Sequence, residues 1–416
     1  MIVFIRVKRS AFSLELSHSP EDLNFKAEVR CFLEQSLTDK LVNAGNRMTS
    51  IFSDFDASLE WQAALAKKGW LAVGWPEEYG GVTWTATQQA IFAEESRAAG
   101  APMLLPFGVQ MLGPILIKYG SEQQCRDLLP RILRGDDLWC QGYSEPGSGS
   151  DLASLATRAD GDGDDYIVNG SKIWTSFAHH SNKIFCLVRT DQQSKPQAGI
   201  SFLLIDLNSP GVTVRPIVSL DDEVEQCEVF FENVRVPKSN LVGRENQGWE
   251  IAKYLLQFER GAYCYYVALE KQFRRLNSLT QSARNEQGIR LDEDPVFTAR
   301  AAELEVEKLA LEFLEHRINT GSALNQPPLC LASVVKVVGT ELSQKIDELC
   351  MEAAGPYIAV KQNQALDPEF DGEPIGPQDA VPIAYSYINN RASTIYGGSA
   401  QIQRNIIANF VLGPQT

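Results

Sequence analysis

Histidine is scarce in this chain: only His18, His179, His180 and His316 occur in 416 residues, too few for a multi-histidine metal site. The eight cysteines (31, 125, 140, 186, 227, 264, 330 and 350) are scattered, with no C-x-x-C pair and no metal-ligand spacing, so they read as reduced, packed thiols and no metal is expected. Nothing approaches the roughly 18 uninterrupted apolar residues of a membrane-spanning helix. At the N-terminus the apolar run Ile2–Ile5 precedes the basic residues, the reverse of a secretory signal. A cytoplasmic protein without a membrane is the expectation, and residues 1–19 are given no role. Basic charge is also short. The 38 Lys and Arg face 53 Asp and Glu, a net charge of −15 that repels phosphate backbones and anionic lipid and argues against nucleic acid.

What is present is a globular composition, 44% hydrophobic and 22% charged, long enough for two or three domains. Residues 20–138 carry helical periodicity, interrupted by the turn-rich Trp75–Gly81 segment and by Pro102 and Pro106. From Trp139 to Gly248 short β-rich runs alternate with Gly, Asp, Asn and Pro turns, marking a β domain. Residues 249–416 return to long apolar stripes at Trp249–Ala283, Asp294–Asn319 and Leu329–Ala354, a helical bundle. Lys361–Pro382, rich in Pro, Gly, Asp and Gln, reads as a long loop or a disordered excursion. A last helix is expected to start at the N-cap Ser399. The fold class is α+β in the order helices, β domain, bundle, which excludes Rossmann and barrel superfolds.

Three segments can carry chemistry. Tyr143–Leu152 is rich in Ser and Gly, so its backbone N–H groups and hydroxyls can approach an anion closely, although composition alone favours a solvated connector. In Lys172–Ser176, Trp174 offers a flat face followed by two hydroxyls, suited to a planar heteroaromatic ligand; the alternative is a core tryptophan. The stripe Ala252, Leu255, Leu256, Glu259, Tyr263, Tyr266 puts a carboxylate on a buried helix face. Such a group is either paired, with Arg260 as a candidate, or held as a base with a raised pKa. Glu270, in a charged stretch, reads as an i,i+4 ion pair with Arg274. His179 and His180, taken as extended, would point to opposite sides and serve structure.

These segments, in this order, resemble the acyl-CoA dehydrogenase family over about Asp22–Gly413, and within it the large subunits of pimeloyl-CoA dehydrogenases. Trp75–Gly81, Trp139–Gly147, Gly199–Asp206 and Ile395–Asn405 carry the likeness. It implies an N-terminal helical domain, a middle β domain and a C-terminal four-helix bundle, with FAD between the last two. By similarity Gln141, Tyr143 and Ser144 would meet the isoalloxazine, with Trp174 and Ser176 at its edge. Ser150 would lie beside the pyrophosphate and the CoA portion of the substrate, and Arg260 is a further substrate-binding candidate. Ser399 and Gln401 would meet the cofactor, and Arg284 and Gly355 would reach the adenosine half from a neighbouring subunit.

One departure bears on mechanism. Many relatives read Tyr-Glu-Gly-Thr where this chain reads Tyr396-Gly397-Gly398-Ser399, so the usual base is missing. A minority of the family places that carboxylate in a Glu-Arg pair on the first bundle helix, and Phe258-Glu259-Arg260-Gly261 matches it. The resemblance therefore implies α,β-desaturation of an acyl-CoA, a dicarboxylyl-CoA such as pimeloyl-CoA among the candidates. Glu259 would be the base, the Gly397 N–H a donor to the thioester oxygen, and an electron-transfer flavoprotein the acceptor. Relatives often have Arg-x-x-Phe where this chain has Arg284-Asn285-Glu286-Gln287, which removes an aromatic contact to the flavin. A homotetramer and an α2β2 heterotetramer with a small subunit both remain open. A non-catalytic, FAD-stabilising subunit and an acyl-CoA oxidase are the competing functions.

Overall fold

The computed structural model describes residues 19–261, 265–319 and 330–413, with the side chains of 257–261, 317 and 319 set aside. Six helices make the first layer: α1 (Pro20–Ser36), α2 (Asp39–Arg47), α3 (Phe55–Lys68), α4 (Ala86–Ala98), α5 (Gly113–Tyr119) and α6 (Glu122–Arg134). Their ends are set locally. Ser19 with Asp22, Thr85 with Gln88 and Ser121 with Gln124 form reciprocal capping boxes at the starts of α1, α4 and α6. Gly69 and Gly135, both left-handed, stop α3 and α6. Between α3 and α4 the two-residue strands β1 (Ala72–Val73) and β2 (Gly81–Val82) pair in parallel. The Trp75 indole donates to the Val109 carbonyl at 2.9 Å and lies against Gly113, where any Cβ would stand 1.9 Å from its ring.

The middle layer is an eight-stranded sheet: β3 (Trp139–Gly142), β4 (Arg158–Asp162), β5 (Asp165–Ser176), β6 (Lys183–Arg189), β7 (Ile200–Asp206), β8 (Val212–Pro216), β9 (Gln226–Pro237) and β10 (Leu241–Val242). The path runs β10-β7-β6-β4-β5-β9-β8, with β3 joined in parallel to β6. Its own core is Val168, Ile184, Leu203, Val229, Phe231 and neighbours, alternate residues turned inward as the period of a strand requires. The long β5–β9 pair slips register between Lys172 and Thr175, so that Ile173 and Trp174 of β5 oppose the single Glu228 of β9. That bulge re-aims Trp174.

The last layer holds α7 (Gly248–Gly261), α8 (Tyr265–Ser282), α9 (Pro295–Asn319), α10 (Cys330–Ala354), α11 (Ile383–Asn390) and α12 (Ala400–Leu412). The helix expected over Trp249–Ala283 is described as α7 and α8, and residues 262–264 between them lie outside the described residues. Tyr265 packs on Gly339, while Gln272 reaches Ser343 and Asp347, so α8 and α10 run in the same direction. Residues 361–382 are neither extended nor unstructured. They make two short 3-10 turns and dock on α2 through Asn43 to the Pro368 carbonyl at 3.1 Å and Arg47 to the carbonyls of Asp367 and Phe370. Among the described residues no helix is long and apolar enough to cross a membrane, and no cluster of three or more His, Cys, Asp or Glu could hold a metal ion.

Candidate functional site

Three segments of the β domain and one of the bundle bring most of the expected residues into two groups. At the exit of β3, Gln141 is half-buried, Tyr143 buried and Ser144 half-buried. The Gln141 Nε2 is shut away from solvent with no hydrogen-bond partner among the described residues. Behind it the chain turns tightly, Glu145 and Ser148 exchanging backbone hydrogen bonds of 3.0 Å. Ser150 is exposed beyond that turn.

The turn is held from below by a buried ion pair. Lys172, wholly buried, donates to Glu145 at 2.7 Å and to the Tyr143 carbonyl at 3.2 Å. Glu145 also accepts from the backbone N–H groups of Ala156 (2.6 Å) and Thr157 (2.9 Å). Burial pushes its carboxyl up, but the Lys172 charge and these hydrogen bonds outweigh that and hold it below the ordinary value. The Ile173 N–H donates to the Ser144 carbonyl at 3.0 Å, tying the turn to the β5 bulge.

At that bulge Trp174 has φ 60° and Phe177 φ 56°, left-handed conformations that are strained for bulky side chains. Trp174 is 60% exposed, which settles against a core tryptophan. Thr175 carries a buried hydroxyl with no partner among the described residues, and Ser176 is half-buried. His179 and His180 lie in a turn rather than a strand, so their rings sit 4.1 Å apart instead of pointing oppositely. His180 stacks on Phe55, and the His179 Nδ1 is 3.2 Å from the Cys227 sulfur, so both serve packing.

In the bundle, Gly397 (φ 62°) and Gly398 (φ 85°) precede α12, whose start Ser399 caps by accepting from the Ile402 N–H. Only glycine adopts such a pair cheaply. Gln403, fully buried, donates to both glycine carbonyls at 3.2 Å. That anchor was not singled out in the sequence; its cue is an amide one turn inside the helix that the two glycines precede. Gln401 is exposed.

Glu259 and Arg260 lie in the last turn of α7, and their side chains are outside the described residues. Ile251, Ala252 and Leu255 on the same helix are buried, in keeping with the stripe on which Glu259 falls. Arg284 donates to the Gly288 carbonyl at 2.9 Å in a turn after α8, and Gly355 (φ 57°) ends α10. Because α8 and α10 run the same way, these two share one end of the bundle, and no hydrogen bond joins either to the Gln141 or Trp174 groups. Glu270 pairs with Lys308 of α9 rather than with Arg274, whose guanidinium donates to the Ala98 carbonyl at 3.3 Å.

Between the first layer and the bundle opens a cavity of about 740 Å³. Trp61, Trp70 and Trp75 line one side, Tyr265 and Thr340 the other, and Ser393 and Tyr396 bring it to the Gly397 segment. Apolar walls with few convergent polar groups suit an organic ligand.

A helical layer, an eight-stranded sheet and a bundle, with such a cavity reaching a glycine pair, define a three-domain dehydrogenase architecture. The chain belongs to the acyl-CoA dehydrogenase family: that family's N-terminal, middle and C-terminal domain models match residues 19–136, 140–234 and 246–412. It is 38% identical to acyl-CoA dehydrogenase IpdE1 of Mycobacterium tuberculosis over 94% of this chain and 97% of that one. To acyl-CoA dehydrogenase FadE26 of the same organism it is 31% identical, over 96% and 98%. Of solved structures, the ChsE4-ChsE5 complex from Mycobacterium tuberculosis superposes with a TM-score of 0.80 at 30% identity, over 96% of this chain and 99% of that one. The Tcur3481-Tcur3483 steroid ACAD gives 0.80 at 28%, over 96% and 99%. None of these four relatives is named for pimeloyl-CoA.

Membership makes the protein an oxidoreductase and implies a flavin. The residues fit such a group: a buried amide and a buried hydroxyl lack partners at Gln141 and Thr175, and Trp174 is held strained with its indole exposed. Each is a cost that a bound polar heteroaromatic ring offsets.

Proposed function

We propose that the protein binds FAD and removes hydrogen from Cα and Cβ of an acyl-CoA thioester, passing the electrons to an electron-transfer flavoprotein. When bound, the flavin supplies an acceptor for the β-hydrogen as hydride at N5. Gln141, Tyr143, Ser144, Trp174 and Ser176 would hold its ring, with Ser399 and Gln401 on the bundle side. Ser150 and Arg260 would flank the CoA portion, and Arg284 and Gly355 would serve the cofactor of a neighbouring subunit.

Glu259 takes the α-proton. A thioester α-proton is far too weakly acidic for an ordinary carboxylate, so the carbonyl must be polarised and water excluded together. The Gly397 N–H donates to the thioester oxygen, and Gln403 holds the two peptides that follow it through the Gly397 and Gly398 carbonyls. That role needs only the backbone, so it survives the lack of a glutamate side chain in this segment. Trp61, Trp70 and Trp75 give the cavity an apolar wall that helps to exclude water once an acyl chain is bound.

The observation that carries this reading is the meeting of the 740 Å³ cavity with the Tyr396–Gly397 segment in a chain of this family. A cavity of that size supports a large or branched acyl group, as the description of one structural relative as a steroid enzyme also suggests. Two structural relatives are described as pairs of proteins, which favours an α2β2 heterotetramer with a small subunit over a homotetramer. The test is anaerobic bleaching of the flavin by a panel of acyl-CoAs. Wild-type protein is expected to bleach with at least one, while Glu259→Gln keeps its flavin and loses bleaching; near wild-type bleaching by the variant would overturn the assignment.

A further inference from the structure

The cavity wall contributed by α8 is charged. Lys271 and Arg275, spaced i and i+4 and therefore on one helix face, both line the cavity, and Arg97 of α4 lines it as well. Opposing these three cations, the described lining residues include one carboxylate, Asp347, whose oxygens already accept from Gln272 (2.7 Å) and Asn390 (2.5 Å). Among the described residues this part of the lining is thus cationic in a chain whose net charge is −15.

Lys271 and Arg275 use few of their donors. Lys271 donates to the Gly45 carbonyl and Arg275 to the Asn46 carbonyl at 2.9 Å, so each closes the C-terminal turn of α2. An ammonium has three donors and a guanidinium five. Among the described residues neither group has a carboxylate partner, and one carbonyl apiece leaves donors on both unmatched beside an apolar cavity. Closing a helix end accounts for a single hydrogen bond each, not for two cations at a cavity wall.

We propose that Lys271 and Arg275, with Arg97 across the cavity, seat an oxygen acceptor carried on the far end of the acyl group, as a carboxylate or a ketone. The inference rests on the acyl-CoA reading and narrows its substrate class: an oxygen-bearing acyl group in place of a plain alkyl chain. Placement agrees. Tyr265 begins α8 and lines the cavity, and Lys271 stands six residues further along the same helix, a rise of about 9 Å. The α8 cations are therefore displaced along the cavity from the helix end that follows Glu259 in the chain.

The electrostatics fit a site completed by its ligand. Burial, then repulsion from Arg275, Arg97 and Arg274, holds the Lys271 ammonium well below its usual value. An arriving carboxylate offsets that repulsion and favours the charged ammonium, and a ketone does so less.

The test compares three acyl-CoAs of equal chain length on the holoprotein: ω-carboxylated, ω-oxo and plain alkyl. Each is titrated calorimetrically for binding, and separately for anaerobic flavin bleaching. Wild type is expected to favour one or both oxygenated chains over the alkyl chain by roughly 10- to 100-fold, a hydrogen bond to a charged group. Which of the two it favours identifies the source of the oxygen. Lys271→Met and Arg275→Gln, each checked for flavin content and melting temperature, should erase the preference while leaving alkyl-CoA binding within about threefold; Lys271→Arg should keep it. Equal binding of all three chains by wild type overturns the proposal, as does an equal loss for all three in the variants. If no acyl-CoA bleaches the flavin yet the binding preference persists and Lys271→Met removes it, the desaturation reading fails and the seat stands.

Discussion

Lys172 and Glu145 form a buried ion pair, 2.7 Å apart, beneath the turn that carries Tyr143 and Ser144. The lysine is wholly buried and the glutamate carboxylate also receives the N–H groups of Ala156 and Thr157, so three chain segments converge on one charge pair. Removing one partner leaves the other charged and buried, a loss of about 3–5 kcal/mol. Lys172→Met is therefore expected to lower the melting temperature and flavin occupancy together. Glu145→Gln strands the Lys172 ammonium and should do the same. The double replacement, with no charge left behind, should recover part of the stability but not the flavin, because the Tyr143 carbonyl still lacks its donor. Denaturation and flavin absorbance on the three variants check this.

The Gly397–Gly398 pair leads to a second expectation. Its two carbonyls are fixed by one buried amide, that of Gln403. Gln403→Leu leaves both without that donor at a cost of about 1–3 kcal/mol and loosens the two peptides that follow the Gly397 N–H. If the placement of that N–H against the thioester depends on them, kcat should fall by at least tenfold while flavin content changes little. A variant with unaltered turnover would remove Gln403 from the mechanism and leave it a structural anchor of α12.

Much of this site was legible because its determinants are local. The Ser19, Thr85 and Ser121 caps, the Ser399 N-cap and the strand-turn alternation of the β domain follow from neighbours a few residues apart. What was not legible depends on residues brought together from afar. Lys271 and Arg275 were part of the charged stretch around Glu270, and only the fold brings the α2 carbonyls of Gly45 and Asn46 to them. Glu270 appeared matched to Arg274 by spacing, yet Lys308 from α9 reaches it first and Arg274 turns to the end of α4. The histidine pair misled because a turn, not a strand, carries it. The 361–382 segment has the composition of a loose loop, and its order comes from donors on α2 more than 300 residues earlier.

Two buried carboxylates set a pH dependence of stability. Glu315 accepts from the N–H groups of Tyr265 (2.9 Å) and Tyr266 (3.1 Å), closing the start of α8, yet burial pushes its pKa up to about 7. Burial likewise raises Glu225, beside Asp221 and Glu223, to about 7. Both values lie above the ordinary 4.5, so between these limits the native state binds more protons than the unfolded chain. Their contribution is fully present below about pH 4.5 and is lost as pH rises through about 7, by up to roughly 3 kcal/mol for each group. Other carboxylates act in the opposite sense: Glu145 and Glu95 are held low and favour the native state as pH rises above their unfolded values. Whole-protein melting therefore mixes the two signs, and single variants separate them. Relative to wild type, Glu315→Gln should gain stability between pH 5 and pH 8, because wild type pays for ionisation there and the amide does not. Melting curves at those two pH values decide it: a difference between variant and wild type that stays constant with pH would mean that Glu315 titrates alike in the folded and unfolded chain.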